Sequence, residues 1–400
     1  MKDRKTGVWL IGARGSIATT VLVGSTLMRK GLAGTTGMVT ALPIFDRLQL
    51  APLEAMEFGG WDVRSEAIFD TACAIARETR VFDRALLEGV RSEIEESERS
   101  VRPGTVLNCG EAIEGLASPE CSRTSSLQQV IERLRSDLRD FRTAKALDTV
   151  VVVNLASTEP AIGFGPEHTD PAAFETCLRE NRSDLARASA LYAWAAVEER
   201  CPYINFTPSN AALTPALVKR AEERSVPVMG NDGKTGETLV KATLAPMFLC
   251  RNLEVMSWEG FNLLGNLDGR ILDNPANKAA KINTKDAVLA NILGYAPHSK
   301  VHIEFVPSLD DQKTAWDFIH FRGFLGSKMS LQFVWQGFDS ILAAPLVLDL
   351  ARLAELASRR GESGLMPHLA SFFKAPLGVG EHRLHEQFAM LQRYVEQART

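Results

Sequence analysis

Close to its start the chain runs Gly7-Val8-Trp9-Leu10-Ile11-Gly12, a short apolar stretch that breaks at a glycine and passes straight into a helix-compatible segment from Ser16 to Lys30. No other feature narrows the accessible folds as much. A strand, a tight turn and a helix in that order open a βαβ unit, and parallel strands joined by crossovers need helices on the faces of their sheet. The turn Gly12-Ala13-Arg14-Gly15-Ser16-Ile17-Ala18 carries small residues where a backbone must come close to a pyrophosphate. The helix beyond it would supply unpaired N–H groups and the positive end of its dipole. The pattern is GxxGxxA, with Arg14 at the usual place of the second glycine and Ala18 at that of the last. Taken alone, it also suits a tight packing turn.

The same alternation continues. Residues 37–45, GMVTALPIF, read as a second strand, which would make Asp46 a candidate for a ribose hydroxyl; Asp62, in FGGWD, is another. The segment 63–102 has helical spacing, and its run RSEIEESERSVR reads as a solvated face. An amphipathic helix is expected over 126–143 and an Ala-rich one from Ser183 to Glu199. TVVVVNLAS, residues 149–157, is a nearly unbroken β-branched run, the pattern of a strand buried on both faces. From about residue 250 strands such as NLEVMSWEGFNLLG and HIEFVPSL dominate, before a long apolar helix expected over 331–358. A chain of 400 residues exceeds one ordinary core, so two domains are expected. The expected fold is α/β: a Rossmann-type doubly wound parallel sheet from 1–240 and 340–400, with 241–339 as an inserted α+β domain.

Composition excludes several classes. A net charge of −4 provides no general attraction to nucleic acid or to an anionic membrane, so an anionic substrate would have to be held by local positive charge. The six cysteines form no CxxC pair, so neither a disulfide framework nor a zinc site is indicated, and reduced thiols in the cytoplasm are expected. No stretch reaches the ~20 apolar residues of a membrane span, and the first residues lack the form of a signal peptide.

Local positive charge is found in the second half. Gly230-Asn231-Asp232-Gly233-Lys234-Thr235-Gly236-Glu237-Thr238 is a second glycine-rich turn between a strand and a helix, and its N–H groups with Lys234 would suit a phosphate monoester or form a plain βα turn. Lys278, Lys281 and Lys285 cluster in NKAAKINTK. Lys281 and Lys285 stand at i,i+4 with no acid between them, which fits either an anion held between them or a solvated basic face. SLDDQKTAWD supplies Asp310, Asp311 and Lys313, and FDSILAAPL sets Asp339 at the head of an apolar helix, where it would also serve as an N-cap. Lys374, between Phe373 and Ala375-Pro376, is either desolvated or reaches past its neighbours to solvent.

Together these segments resemble the inositol-1-phosphate synthase family, most of all its shorter prokaryotic and archaeal forms. The matching stretches are VWLIGARGSIATT, EFGGWDVR, VNLASTEP, YINFTPSNAA, GNDGKTGETLVKATLAPMF, FNLLGNLDG, NKAAKINTKDAVL, PSLDDQKTAWDFIHF, FDSILAAPLVLDLARL and FFKAPLG, in the family's order and nearly end to end. The resemblance implies NAD, held at Gly12, Ala13, Arg14, Gly15, Ser16 and Ile17, lined by Asp62, Ala156, Ser157 and Thr158, with Asp232 near the nicotinamide. It implies glucose 6-phosphate as substrate, its phosphate at Thr235, Gly236 and Lys285. Lys281, Lys313 and Lys374 match the catalytic lysines; Asp232, Asp268 and Asp339 join them, and Asn262, Asn266 and Asp311 match polar residues of the pocket. Two departures stand out: Ala18 in the cofactor turn, and Glu237 where longer members carry glutamine beside the phosphate.

What the resemblance implies chemically is an isomerisation to 1D-myo-inositol 3-phosphate. Family members oxidise C5 of the open-chain sugar with NAD, form an enolate at C6, close the ring on the C1 aldehyde and reduce the ketone again. Lys281 and Lys374 are expected around the C5 oxygen and Lys313 near the aldehyde, and family members form tetramers. Prokaryotic and archaeal relatives also admit a divalent metal, for which the aspartates here are candidates with no ligand set assigned. An NAD-dependent sugar-phosphate dehydrogenase is the rival enzyme, and a catalytically silent NAD-binding regulator is the rival class; the four matched lysines, Lys285 included, weigh against the second.

Overall fold

Strand β1 (Thr6–Ile11) is buried along its whole length, with Val8 and Leu10 in one hydrophobic cluster and Trp9 and Ile11 in another. A strand whose alternate residues enter two separate cores lies inside a sheet covered on both faces. The computed structural model, which describes residues 4–121, 125–266, 269–270 and 288–398, shows that sheet. It has seven strands in the order β11-β6-β5-β4-β1-β2-β3. The others are β2 (Met56–Asp62), β3 (Val101–Pro103), β4 (Thr149–Asn154), β5 (Tyr203–Asn205), β6 (Pro227–Met229) and β11 (Gly364–Leu365), and every pairing is parallel. On one face lie the helices Ser16–Arg29, Ile68–Thr79 and Asp339–Arg359, and on the other Leu127–Ala144 and Ala188–Glu198. The strand order reverses between β1 and β4, which opens a crevice at the carboxyl ends of those strands.

A second sheet has four strands in the order β10-β9-β7-β8. β7 (Glu254–Leu264) runs parallel to β8 (His298–Phe305) and antiparallel to β9 (Gln312–Arg322), which pairs antiparallel with β10 (Lys328–Phe338). One face packs Val255, Trp258 and Ile319 against Ala245 and Phe248 of the helix Glu237–Cys250. Outside that cluster, the Phe261 ring stacks on His302 at 4.4 Å and on Trp316 at 5.1 Å. After β10 the chain returns to the first sheet through the helix Asp339–Arg359 and β11. No described helix is long and apolar enough to cross a membrane.

Three expected elements differ. Residues 37–45 are not a strand: Val39–Ala41 and Pro43–Phe45 are single 3₁₀ turns, and the second strand of the unit is β2. The N–H groups of Val39 and Thr40, which a strand would give to a neighbour, go to the Asp349 carboxylate at 2.6 and 3.0 Å, and Pro43 has no N–H to give. Asp46 is consequently an exposed loop residue. The apolar stretch from 331 begins as a strand, and its helix starts only at Asp339; a short apolar run does not by itself separate the two. The Ala-rich helix starts at Ala188, after a 3₁₀ turn over Ser183–Leu185.

Candidate active site

Gly12 ends β1 with φ +81°, and a Cβ there would lie 3.2 Å from the Ala156 backbone, so both conformation and space require glycine. Its N–H donates to Trp61 O at 2.8 Å, and Gly15 N–H returns to Gly12 O at 2.9 Å, which folds the turn across the crevice. Gly15 caps the helix Ser16–Arg29 with no side-chain hydrogen bond, and the helix's first turn holds no acid. Its leading N–H groups are thus left for an anion, and Gly12, Gly15, Ser16 and Ile17 line a cavity there. Asp62, at the end of β2, accepts from Arg14 N at 2.7 Å and Arg64 N at 2.8 Å. It holds the turn and still has lone pairs for a ribose. Ala13 packs into the core, and the Arg14 guanidinium turns away to Glu98 and the Glu66 carbonyl, so Arg14 contributes through its backbone alone.

The cavity continues past Ala156, Ser157 and Thr158 to Asp232, Gly233 and Lys374. Two segments are laced together here by backbone bonds: Asn231 N to Ala375 O at 2.9 Å, Lys374 N to Asp232 O at 2.7 Å and Lys234 N to Phe372 O at 2.8 Å. Gly233 admits no side chain, since a Cβ would stand 2.1 Å from the Phe206 ring. The lacing brings Lys374 Nζ to 2.9 Å from Asp232 Oδ1. Lys374 is 9% exposed, so most of its side chain is withdrawn from solvent. Asp232 Oδ2 is buried without a hydrogen-bond partner among the described residues, an acceptor that a donor on a bound ligand would satisfy.

Thr235, Asn266, Asp311, Asp339 and Ser340 form the opposite wall. Asp339 is the first residue of its helix, and its Oδ2 meets Lys313 Nζ at 3.2 Å, while Thr235 Oγ1 donates to Oδ1 at 3.5 Å. Asp311 accepts from Ser340 Oγ at 2.7 Å and Asn266 Nδ2 at 3.5 Å; burial pushes its carboxyl up to about 6. Gly236 heads the helix Glu237–Cys250, also without a side-chain cap. The cavity therefore joins the glycine turn to the Lys374–Asp232 pair and to Asp339, whose partner Lys313 does not itself line it. Among the described residues, no group of three His, Cys, Asp or Glu side chains is placed to hold a metal.

Not every expected residue converges. Asn262 is 1% exposed, away from the cavity lining, and its Nδ2 donates to Glu237 Oε2 at 2.6 Å. Lys234 points away from the turn, buried, with Nζ on Gln387 Oε1, and burial brings its ammonium down to about 7. Asp268, Lys281 and Lys285, with Lys278, lie outside the described residues. The site also holds groups that sequence reasoning passed over. Arg64 lines the cavity close to Gly15. Glu159, buried and raised to about 7 by desolvation, accepts Ser189 N at 2.9 Å at the head of the helix Ala188–Glu198. Both stand within two residues of expected ones, Arg64 after Asp62 and Glu159 after Thr158, which is the signal that was available.

A parallel sheet with a glycine turn at its switch point, extended into a pocket that holds the Lys374–Asp232 pair and further carboxylates, is the arrangement of a dinucleotide-binding enzyme of the Rossmann type. A family model for an NAD-binding domain, described as myo-inositol-1-phosphate synthase, matches residues 6–396. The chain belongs to that family. It is 34% identical over 413 residues to inositol-3-phosphate synthase 1 of Bacteroides thetaiotaomicron, covering 98% of this chain and 94% of that protein. It is 32% identical to the enzyme of the same name from Rattus norvegicus, across 87% of this chain and 64% of the longer rat protein. Among solved structures, inositol-3-phosphate synthase from Caenorhabditis elegans superposes with a TM-score of 0.88 at 25% identity, over 100% of this chain and 86% of that one. A myo-inositol-1-phosphate synthase-related protein from Thermotoga maritima, 23% identical, shares the fold at a TM-score of 0.80 over 98% of this chain and 99% of that one.

Proposed function

We propose that the chain converts glucose 6-phosphate to 1D-myo-inositol 3-phosphate, with NAD required but not consumed. The observation that carries this reading is the continuity of the cavity from the Gly12–Ile17 turn to Lys374, Thr235 and Asp339, so that one bound sugar could face both the cofactor and the lysines. NAD, which the Gly12–Ile17 turn and Asp62 would hold, would supply a hydride acceptor and donor for C5 of the sugar. The remaining work falls to the chain. The N–H groups at Thr235 and Gly236, with Lys285, hold the phosphate and thereby fix which carbon faces the nicotinamide. Lys374, oriented by Asp232, holds its ammonium against the C5 oxygen and stabilises the negative charge that grows there during enolisation; the family resemblance assigns Lys281, outside the described residues, to the same oxygen. Lys313, oriented by Asp339, reaches the C1 aldehyde oxygen that becomes an alkoxide as the ring closes. Asn266 and Asp311 complete the polar wall, and a protonated Asp311 near pH 6 would donate to a sugar hydroxyl. The described side chains offer no metal cluster, so no step is assigned to a metal.

The test is to incubate the protein with glucose 6-phosphate and a catalytic amount of NAD. Phosphate releasable by periodate should accumulate through many turnovers of the cofactor. Free NADH appearing in proportion to product would instead make the chain a sugar-phosphate dehydrogenase. A tetramer assembled through the second sheet belongs to the same reading. Its support is the apolar surface left there, with Val334 at 61% and Phe324 at 87% exposure. Light scattering at micromolar concentration that returned a monomer mass would refute it.

A further inference from the structure

The helix Glu237–Cys250 begins at Gly236, where the phosphate is proposed to sit, yet its own first residue is an acid. A carboxylate in that turn competes with an incoming anion for the same N–H groups and the same dipole. Here the Glu237 side chain is turned inward and is 2% exposed. Its Oε1 stands 2.6 Å from Lys241 Nζ, one helical turn on, and its Oε2 accepts from Asn262 Nδ2 on β7 at 2.6 Å. Gly260 on β7 makes the room: a Cβ there would fall 2.6 Å from Glu237 Oε1 and 3.2 Å from Asp317 Oδ1. Lys241 is completely buried, as is Asp317, whose Oδ1 accepts from Trp258 Nε1 at 2.6 Å. Buried pairs of this kind tend to cost as much desolvation as they return in attraction. Folding alone gives little reason for a lysine so deeply buried.

We infer that Lys241 is a positioning residue for substrate: by neutralising Glu237 and holding it against the sheet, it keeps the helix start at Gly236 attractive to a phosphate dianion. This rests on the phosphate subsite proposed above. It gives opposite signs for two single substitutions. Lys241→Met keeps the apolar stem but leaves an unbalanced carboxylate behind the subsite, and the KM for glucose 6-phosphate should rise about tenfold while the KM for NAD stays put. Glu237→Gln keeps the shape and removes the negative charge, so the KM for glucose 6-phosphate should fall several-fold. In the double variant the two charges leave together, and KM should return to within about twofold of the parent.

A purely structural role for the pair predicts something else: both single substitutions impair the enzyme, and kcat suffers as much as KM. The measurement is steady-state inositol phosphate formation, with thermal melting run alongside. An unchanged KM in Lys241→Met, a raised KM in Glu237→Gln, or a double variant no better than Lys241→Met overturns the inference. If Lys241→Met fails to fold, the isosteric Glu237→Gln still decides the sign. Failure of the underlying reading looks different: the parent protein itself forms no product from glucose 6-phosphate, and the inference falls with it.

Discussion

Replacing Lys374 by methionine tests the core of the proposed chemistry. The ammonium lies 2.9 Å from Asp232 Oδ1, with side-chain exposures of 11% and 6% for the two partners. At that separation and an effective dielectric near 20, the attraction is about 6 kcal/mol before desolvation is counted. Removing one member of such a pair leaves the other buried and charged, which costs about 3–5 kcal/mol of stability. Asp232 has no second recourse among the described residues, because its Oδ2 already lacks a partner. Urea titration of Lys374→Met should therefore show a deficit of about 3 kcal/mol or more. Adding Asp232→Asn should restore most of the stability, since no buried charge remains. Turnover should not return: a positive charge at the reacting oxygen is worth about 100- to 1,000-fold in kcat. The two readouts separate the structural role of the pair from its chemical one. The reasoning is refuted if Lys374→Met retains turnover within tenfold of the parent, or if the double variant recovers activity along with stability.

Three further outcomes follow from the site. Ser16→Glu puts a carboxylate into the uncapped first turn that faces the cavity, and it should weaken NAD binding about tenfold or more by fluorescence titration with an unchanged melting temperature; undiminished affinity would remove the pyrophosphate from that turn. Asp311 is raised from 3.8 to about 6, so its contribution to stability is complete below pH 4 and is lost as the pH climbs through 6. The parent's urea midpoint should consequently fall across that window more steeply than that of Asp311→Asn, and parallel profiles would show that burial of Asp311 has no such effect. Lys281→Ala should nearly abolish turnover with NAD binding intact, Lys285→Ala should weaken substrate binding by about 1.5–3 kcal/mol, and Lys278→Ala should leave activity near normal; full activity in Lys281→Ala would sink that assignment.

What the sequence made legible, and what it hid, divides along the range of the interactions. The Gly12–Ile17 turn and β4 could be read directly because their signals lie in consecutive residues: a glycine break after an apolar run, and an unbroken β-branched run. The strand expected over 37–45 failed because its N–H groups are taken by Asp349, 310 residues away in the chain for Val39. That error carried Asp46 with it and left Asp62 as the acid at the end of the second strand. Lys374 and Asp232 were both visible as candidates, but nothing local tells that two residues 142 positions apart form a pair. The turn at 230–238 shows the same limit at shorter range. Thr235 enters the cavity and Lys234, its neighbour, turns the other way toward Gln387. Neighbouring side chains in an irregular turn point where the tertiary structure sends them, and periodicity cannot say which.

The lacing of residues 372–375 onto 231–234 has a consequence in time. A ribosome delivers the Gly12–Ile17 turn long before Lys374. β6 waits as the outer strand of its sheet until β11 emerges to pair with it. Only then is there a backbone for the 372–375 segment to follow back to Asp232. Through most of synthesis, then, the crevice can have its glycine turn in place while the lysine beside Asp232 has yet to be made. A nascent chain of this protein would be able to hold a nucleotide long before it could turn over a sugar.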